Sequence, residues 1–224
     1  MQETTHKAVI WDMDGVIADT ARSHFLSWQF AFSKRNIPFT EEDFKHHFGQ
    51  RNDTIIRDVA GSAIPDQELQ AIAQDKEEYF RTNLGRNLKP FPGVINLLAT
   101  LKENQILSAV ASSAPLENIR LILTTLNISE YFQAIVHGQE VEQGKPSPQI
   151  FLLAAKKLGT KPANCIVIED SIAGVMAAKN AGMHCIAVTN THPAYRLAQA
   201  DLVVDSLEKV DMVTLNRLFS DSFK

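Results

Sequence analysis

Cysteine is nearly missing from this chain of 224 residues, with only Cys165 and Cys185 present. Each sits in a short apolar run, CIVI and CIAV. That is the setting of a buried thiol on a strand, and two such residues cannot make a disulfide framework. Long apolar runs are also missing, and none approaches the roughly 18 residues of a membrane span, so no membrane association is expected. The opening MQETTHKAVIWDMDG has no basic head and no extended apolar stretch. No secretory leader is expected from it, and the expected location is the cytoplasm. A surplus of positive charge is lacking too: 22 Lys+Arg stand against 26 Asp+Glu, a net charge of -4. Nothing there would drive binding to a phosphate backbone, so nucleic acid is not an expected partner. No internal repeat, low-complexity segment or charge block interrupts the chain.

What is present is ordinary for a globular protein: 45% hydrophobic and 21% charged residues. At about 100–200 residues per domain the length allows one or two domains. Apolar runs at 7–11 (KAVIW), 107–111, 134–137, 165–168, 185–188 and 202–204 read as strands. They lack polar alternation, as strands do when both sheet faces are covered. Helical patterns at 94–104, 116–127, 148–158 and 172–181 lie between them. This alternation predicts an α/β fold with a parallel, Rossmann-like sheet and right-handed crossovers. Residues 21–88 break the rhythm with helical patterns at 23–35, 41–47, 52–60 and 66–84, closing at Pro90-Phe91-Pro92-Gly93. The expected organisation is a split core of residues 1–19 and 89–224, with a helical cap of residues 20–88 inserted into it.

Four polar segments follow core strands or precede core helices. Asp12 and Asp14 flank Met13 at the end of the first strand, and alternation sends both side chains the same way. Open α/β sheets put their ligands at that end of the strands. Two like charges so close need a cation, a shared proton or solvent; a surface Asp-Gly turn is the plainer alternative. Ser112 and Ser113 follow the second strand and offer a hydroxyl and backbone N–H groups to an anion, or simply begin a helix. Lys145 sits in the Pro-flanked turn GKPSP, where it could neutralise phosphate and carboxylate together, or be a solvated loop lysine. Glu169 and Asp170 follow the fourth apolar run, and paired acids there suit Mg²⁺; Ser171 can cap the next helix at the same time. Together these residues complete an inventory for phosphoryl transfer.

The four segments WDMDGVIADT, AVASSA, GKPSPQIF and VIEDSIAGVMAAKNAG resemble, in order and spacing, the motifs of the haloacid dehalogenase superfamily. The likeness is to the branch holding β-phosphoglucomutase and small sugar-phosphate phosphatases, and it runs from Lys7 to about Val204. The resemblance implies a Rossmann-like core with a helical cap between the first two motifs. It implies that Asp12 attacks phosphorus and that Asp14 protonates the leaving oxygen and then activates the incoming nucleophile. Ser112, Ser113 and Lys145 would hold the transferring phosphoryl group. Mg²⁺ would sit among Asp12, the Asp14 carbonyl and Asp170, with Glu169 acting directly or through water. In the cap, Thr20, His24, Arg51, Asn52 and Lys76 become the candidates to meet substrate. His46 and His47 are adjacent, cannot share a helix face, and are expected at the surface.

The resemblance also separates relatives. Dehalogenases usually lack the second aspartate, which is here. β-Phosphoglucomutases usually carry a Ser-Lys-Asn run after the second motif's serine, where this chain has Ala114-Pro115-Leu116. The expectation is therefore a Mg²⁺-dependent phosphatase of a small phosphorylated metabolite, acting as a monomer. A phosphomutase is the alternative, and a non-catalytic regulator of the same fold a minor one.

Overall fold

A computed structural model describes residues 6–85 and 88–220. The chain divides into two compact units, one running up to Asp19 and on from Lys89, the other being Thr20–Leu88.

The first unit opens on β1 (Ala8–Trp11), buried along its whole length. The second unit follows, with α1 (Ala21–Ser33), α2 (Glu41–His47), α3 (Asn52–Ala60) and α4 (Asp66–Asn83). Thr40 and Asp43 start α2 with a reciprocal capping box, each side chain bonded to the other's backbone N–H at 3.1 and 2.8 Å,. Aromatic residues spaced along α1 build this unit's apolar centre: Phe25, Trp28 and Phe32 pack with Phe39, Ile56 and Ile72. The ring centroids of Trp28 and Phe32 lie 5.3 Å apart, and those of Phe32 and Phe39 5.2 Å, distances at which aromatic pairs attract.

Chain returns to the first unit with α5 (Val94–Glu103), β2 (Leu107–Ser112), α6 (Leu116–Thr125), β3 (Ala134–His137) and α7 (Gln149–Lys157). It continues through β4 (Cys165–Glu169), α8 (Ile172–Asn180), β5 (His184–Val188), β6 (Leu202–Val204) and α9 (Met212–Ser220). The strands form one parallel sheet in the order β3-β2-β1-β4-β5-β6. The expected α/β class with a Rossmann-like parallel sheet is thus what the chain adopts. Alternate residues of the strands, among them Ile10, Ala109, Val167 and Cys185, meet Phe151, Ala154, Val175 and Ala178 of α7 and α8 in one cluster. Val9, Trp11, Val110, Ile166 and Ile168 are equally buried on the other face, so continuous apolar runs were the right signature. Each large side chain buried there stabilises the fold by about 1.5–3 kcal/mol. The sequence patterns gave no warning of α9, a short helix whose buried residues are Leu215 and Leu218.

Strand order reverses beside β1. The chain moves outward through β2 and β3, then returns to lay β4 on the other flank of β1. A crevice opens at the carboxyl ends of strands where such a reversal occurs, and the acids singled out above lie there: Asp12 and Asp14 just past β1, Glu169 ending β4 and Asp170 following it.

Candidate active site

β1 leads directly into the first acid. Asp12 N donates to Ile168 O at 3.0 Å, continuing the ladder one residue beyond the strand. The chain then folds sharply. Met13 O accepts from the N–H groups of Val16, Ile17 and Ala18, and Gly15 N donates to Ala18 O at 3.0 Å. Gly15 has φ +88, and a Cβ there would overlap the Asp170 carboxylate, so both conformation and space require glycine. This turn buries Asp12 and Asp14.

Lys145 comes from the loop before α7, and its peptide bond to Pro146 is cis. Its ammonium bonds Asp12 Oδ1 and Glu169 Oε1, each at 2.5 Å, from a side chain only 4% exposed. It also lies 5.1 Å from the centre of the Phe151 ring. Glu169, at the end of β4, is fully buried, and its second oxygen, Oε2, accepts from Asp170 N, Ser171 N and Ser171 Oγ at 2.9–3.0 Å. Gly174, one turn into α8, has no room for a Cβ because the Glu169 carboxylate fills the space. Ser171 Oγ accepts from Gly174 N at 3.0 Å and so caps α8, the role expected of it.

Charge explains the electrostatics of this cluster. Three buried carboxylates surround one ammonium. Burial raises Asp12 to about 7; Lys145 opposes that shift, while Glu169 and Asp14 add to it. Burial also holds Asp170 well above the carboxylate range, helped by Glu169 and Asp12 and resisted by the hydroxyl of Thr191. For Lys145, burial alone would lower the pKa, but Asp12 and Glu169 outweigh it and hold the ammonium above its ordinary value. One lysine cannot balance the set. Asp12, Glu169 and Asp170 each present an oxygen, all within 4.8 Å of one another. A buried set of hard oxygen donors with surplus negative charge fits a divalent cation such as Mg²⁺.

Ser112 closes β2, in register with His137 of β3, while Val110 pairs with Trp11 of β1. Its place is therefore at the same edge of the sheet as Asp12. Ser112 is buried, and its Oγ accepts from Ala114 N at 3.1 Å. Ser113 is half-buried, and its carbonyl lies so close to Gly138 that a Cβ there would clash.

The other candidates lie in the helical unit. Thr20 is fully buried and its carbonyl accepts from His24 N at 2.9 Å. His24 stacks on Phe80, with ring centroids 4.2 Å apart. Lys76 is buried between the rings of Trp28 and Phe80, and its ammonium bonds Glu77 Oε1 at 2.7 Å. Asn52 Nδ2 donates to the same oxygen at 2.8 Å. Burial pushes the Glu77 pKa up, but Lys76 and His24 outweigh it and bring it below the usual glutamate value. His24, Asn52 and Lys76 thus form one group around Glu77. The Arg51 guanidinium pairs with Asp53 at 3.1 Å through both Nε and Nη2.

One expectation is corrected. His46 is exposed, but His47 is buried, with Nδ1 3.4 Å from Gln50 Oε1 and 3.9 Å from Asp58 Oδ2. His47 lies three residues beyond Phe44, so the two share the inward face of α2. Sequence reasoning also passed over Glu77, Gly138, Gly174, Asn190 and Thr191. Asn190 and Thr191 carried a usable signal, being polar residues just past an apolar strand. The others are recognisable only by what surrounds them.

The chain is similar in sequence and fold to known proteins. A family model described as haloacid dehalogenase-like hydrolase matches residues 9–188. The chain is 36% identical over 206 residues to β-phosphoglucomutase of Bacillus subtilis, covering 88% of each protein. It is 32% identical over 180 residues to a phosphorylated carbohydrates phosphatase of Thermotoga maritima, covering 80% of this chain and 83% of that one. Among solved structures, β-phosphoglucomutase of Clostridium difficile superposes with a TM-score of 0.87 at 29% identity, over 96% of this chain and 97% of that one.

Proposed function

The chain belongs to the haloacid dehalogenase-like hydrolase family, and from that premise we propose that it is a Mg²⁺-dependent phosphatase of a small phosphorylated sugar or polyol. The observation that carries this reading is the buried group of Asp12, Lys145, Glu169 and Asp170, with Asp14 beside it. An Asp12 carboxylate oxygen forms the bond to phosphorus while the bond from phosphorus to the substrate oxygen breaks. Asp14 supplies a proton to that leaving oxygen. It then takes one from the water that hydrolyses the aspartyl phosphate, which releases phosphate and restores Asp12.

Lys145 lies against the nucleophile and balances charge on the phosphoryl oxygens as they approach it. Ser112 and the backbone around Ser113 hold those oxygens at the end of β2. Glu169 fixes Lys145 through one oxygen and the start of α8 through the other, which keeps the ammonium aimed at Asp12. Held by Asp12, Asp170 and the Asp14 carbonyl beside Glu169, Mg²⁺ would offset the repulsion between a carboxylate and a phosphate dianion. The helical unit serves as the cap, and Thr20, His24, Arg51, Asn52 and Lys76 are its candidates for recognising the rest of the substrate. The two buried free thiols suit a reducing cytoplasm.

The 36% identity to a β-phosphoglucomutase supports a second reading, in which a sugar hydroxyl rather than water takes the phosphoryl group from Asp12. Ala114-Pro115-Leu116 favours water, because these residues bring no cation to the end of β2 for a second phosphate. The deciding experiment is a panel of sugar and polyol monophosphates assayed with Mg²⁺ for phosphate release. The panel includes β-glucose 1-phosphate with a bisphosphate primer, read also for isomerisation. Phosphate release abolished by Asp12→Asn, with the fold intact by circular dichroism, is the expected result. Isomerisation outpacing release would establish the mutase, and undiminished turnover in Asp12→Asn would remove the nucleophile.

A further inference from the structure

The geometry points to Thr191, braced by Asn190, as a positioning residue that sets the Asp170 carboxylate for cation binding. The inference rests on the metal-dependent reading above and adds to it a part of the site contributed by the β5–β6 connection.

Three segments converge at this point. Beyond β5, Thr189 N donates to Val204 O at 3.0 Å, so the chain is still held by β6 as it reaches the carboxyl edge of the sheet. The next two residues point polar groups at the two acid-bearing loops. Asn190 Nδ2 donates to Gly15 O at 2.8 Å, gripping the turn that carries Asp12 and Asp14. Thr191 Oγ1 donates to Asp170 Oδ2. Gly15 lies against both: a Cβ on it would overlap Asp170 Oδ2 and stand 2.9 Å from Thr191 Oγ1. Consecutive side chains therefore tie the loop after β1 to the loop after β4, with the one residue type at Gly15 that lets them approach.

A single hydroxyl on one oxygen fixes the rotation of a carboxylate, which burial alone does not. It also satisfies an oxygen that would otherwise lose hydration on burial. Partners of metal ligands act in this way, and their removal commonly costs 10–100-fold in metal affinity. Thr191 does not touch the reacting atoms in this scheme; it acts through Asp170.

The test is Mn²⁺ binding to chelator-stripped protein, read by electron paramagnetic resonance without substrate. Wild type is expected to bind, Asp170→Asn to bind at least tenfold more weakly, and Thr191→Val about tenfold more weakly. Thr191→Ala, which also lacks the hydroxyl but adds no bulk, is expected to match Thr191→Val, whereas Thr191→Ser should recover wild-type affinity to within about twofold. Circular dichroism in EDTA should show every Thr191 variant folded under the assay conditions, so that the affinities compare folded proteins. Normal Mn²⁺ affinity in Thr191→Val and Thr191→Ala would overturn the inference, as would a Thr191→Ser as weak as they are. Absent binding in wild type, or undiminished binding in Asp170→Asn, would instead overturn the metal reading beneath it.

Discussion

Binding of Mg²⁺ should release protons, and its affinity should rise steeply with pH. A carboxyl that ordinarily ionises at 3.8 is raised at Asp12 to about 7, because burial and the neighbouring carboxylates outweigh the pull of Lys145. A cation needs the ionised form, so below pH 7 it must first displace that proton. Apparent affinity should therefore fall about tenfold for each pH unit below 7, roughly 3 kcal/mol between pH 7 and pH 5. The slope steepens where Asp170, also held above the carboxylate range, gives up a second proton.

The same proton sets the stability of the metal-free protein. Asp12 has a folded pKa above its unfolded one, so the folded state binds more protons between about pH 4 and pH 7. Stability should decline across that window and level off above it, by an amount of order 4 kcal/mol. Titration calorimetry with Mg²⁺ at pH 5, 6, 7 and 8, in pairs of buffers with different ionisation enthalpies, counts the protons directly. About one proton or more per Mg²⁺ is expected at pH 6. A flat affinity from pH 5 to pH 7 with no buffer-dependent heat would refute the reasoning. It would mean that Lys145 alone keeps Asp12 ionised.

Three further outcomes follow from the packing. Gly174→Ala places a methyl on the Glu169 carboxylate; it should cost about 2 kcal/mol or more and lower kcat by loosening Lys145, and an unaltered urea midpoint would contradict this. Lys76→Met strands the buried Glu77 without its ammonium, so a loss of about 3–5 kcal/mol is expected in the helical unit, visible as early loss of its hydrogen-exchange protection. Phe151→Ala empties a fully buried site beneath Lys145 and should cost about 3–5 kcal/mol, measured by chemical denaturation.

What could be read from the chain was what local pattern controls. Asp12, Asp14, Glu169 and Asp170 follow apolar strands, and a parallel sheet necessarily gathers its strand ends along one edge. Ser171 as a cap needed only its own position before an apolar helix. The partners reached across the fold were not legible. Lys145 bonds a residue 133 positions earlier, and no local signal tells that both of its bonds go to carboxylates. Thr191 reads as an ordinary loop threonine until Asp170 is seen beside it. His47 and the Lys76–Glu77 pair were hidden for the same reason. Their burial is decided by which helix face turns inward, and residue polarity argued the other way.

The placement of β1 also governs how the chain assembles. It is the first made of the six strands and lies inside the sheet, with Ala8 paired to both Leu107 and Cys165. At about 5–20 residues per second of synthesis, β1 waits roughly 8–30 s for β4 to emerge, and the backbone groups of the edge that β4 takes stay unpaired by it until then. The helical unit intervenes in that interval, and its aromatic cluster uses residues from one contiguous stretch. Contacts of short sequence separation form fast and those of long separation slowly. Helical structure should accordingly gain protection early in a refolding pulse-labelling experiment, and β1 last.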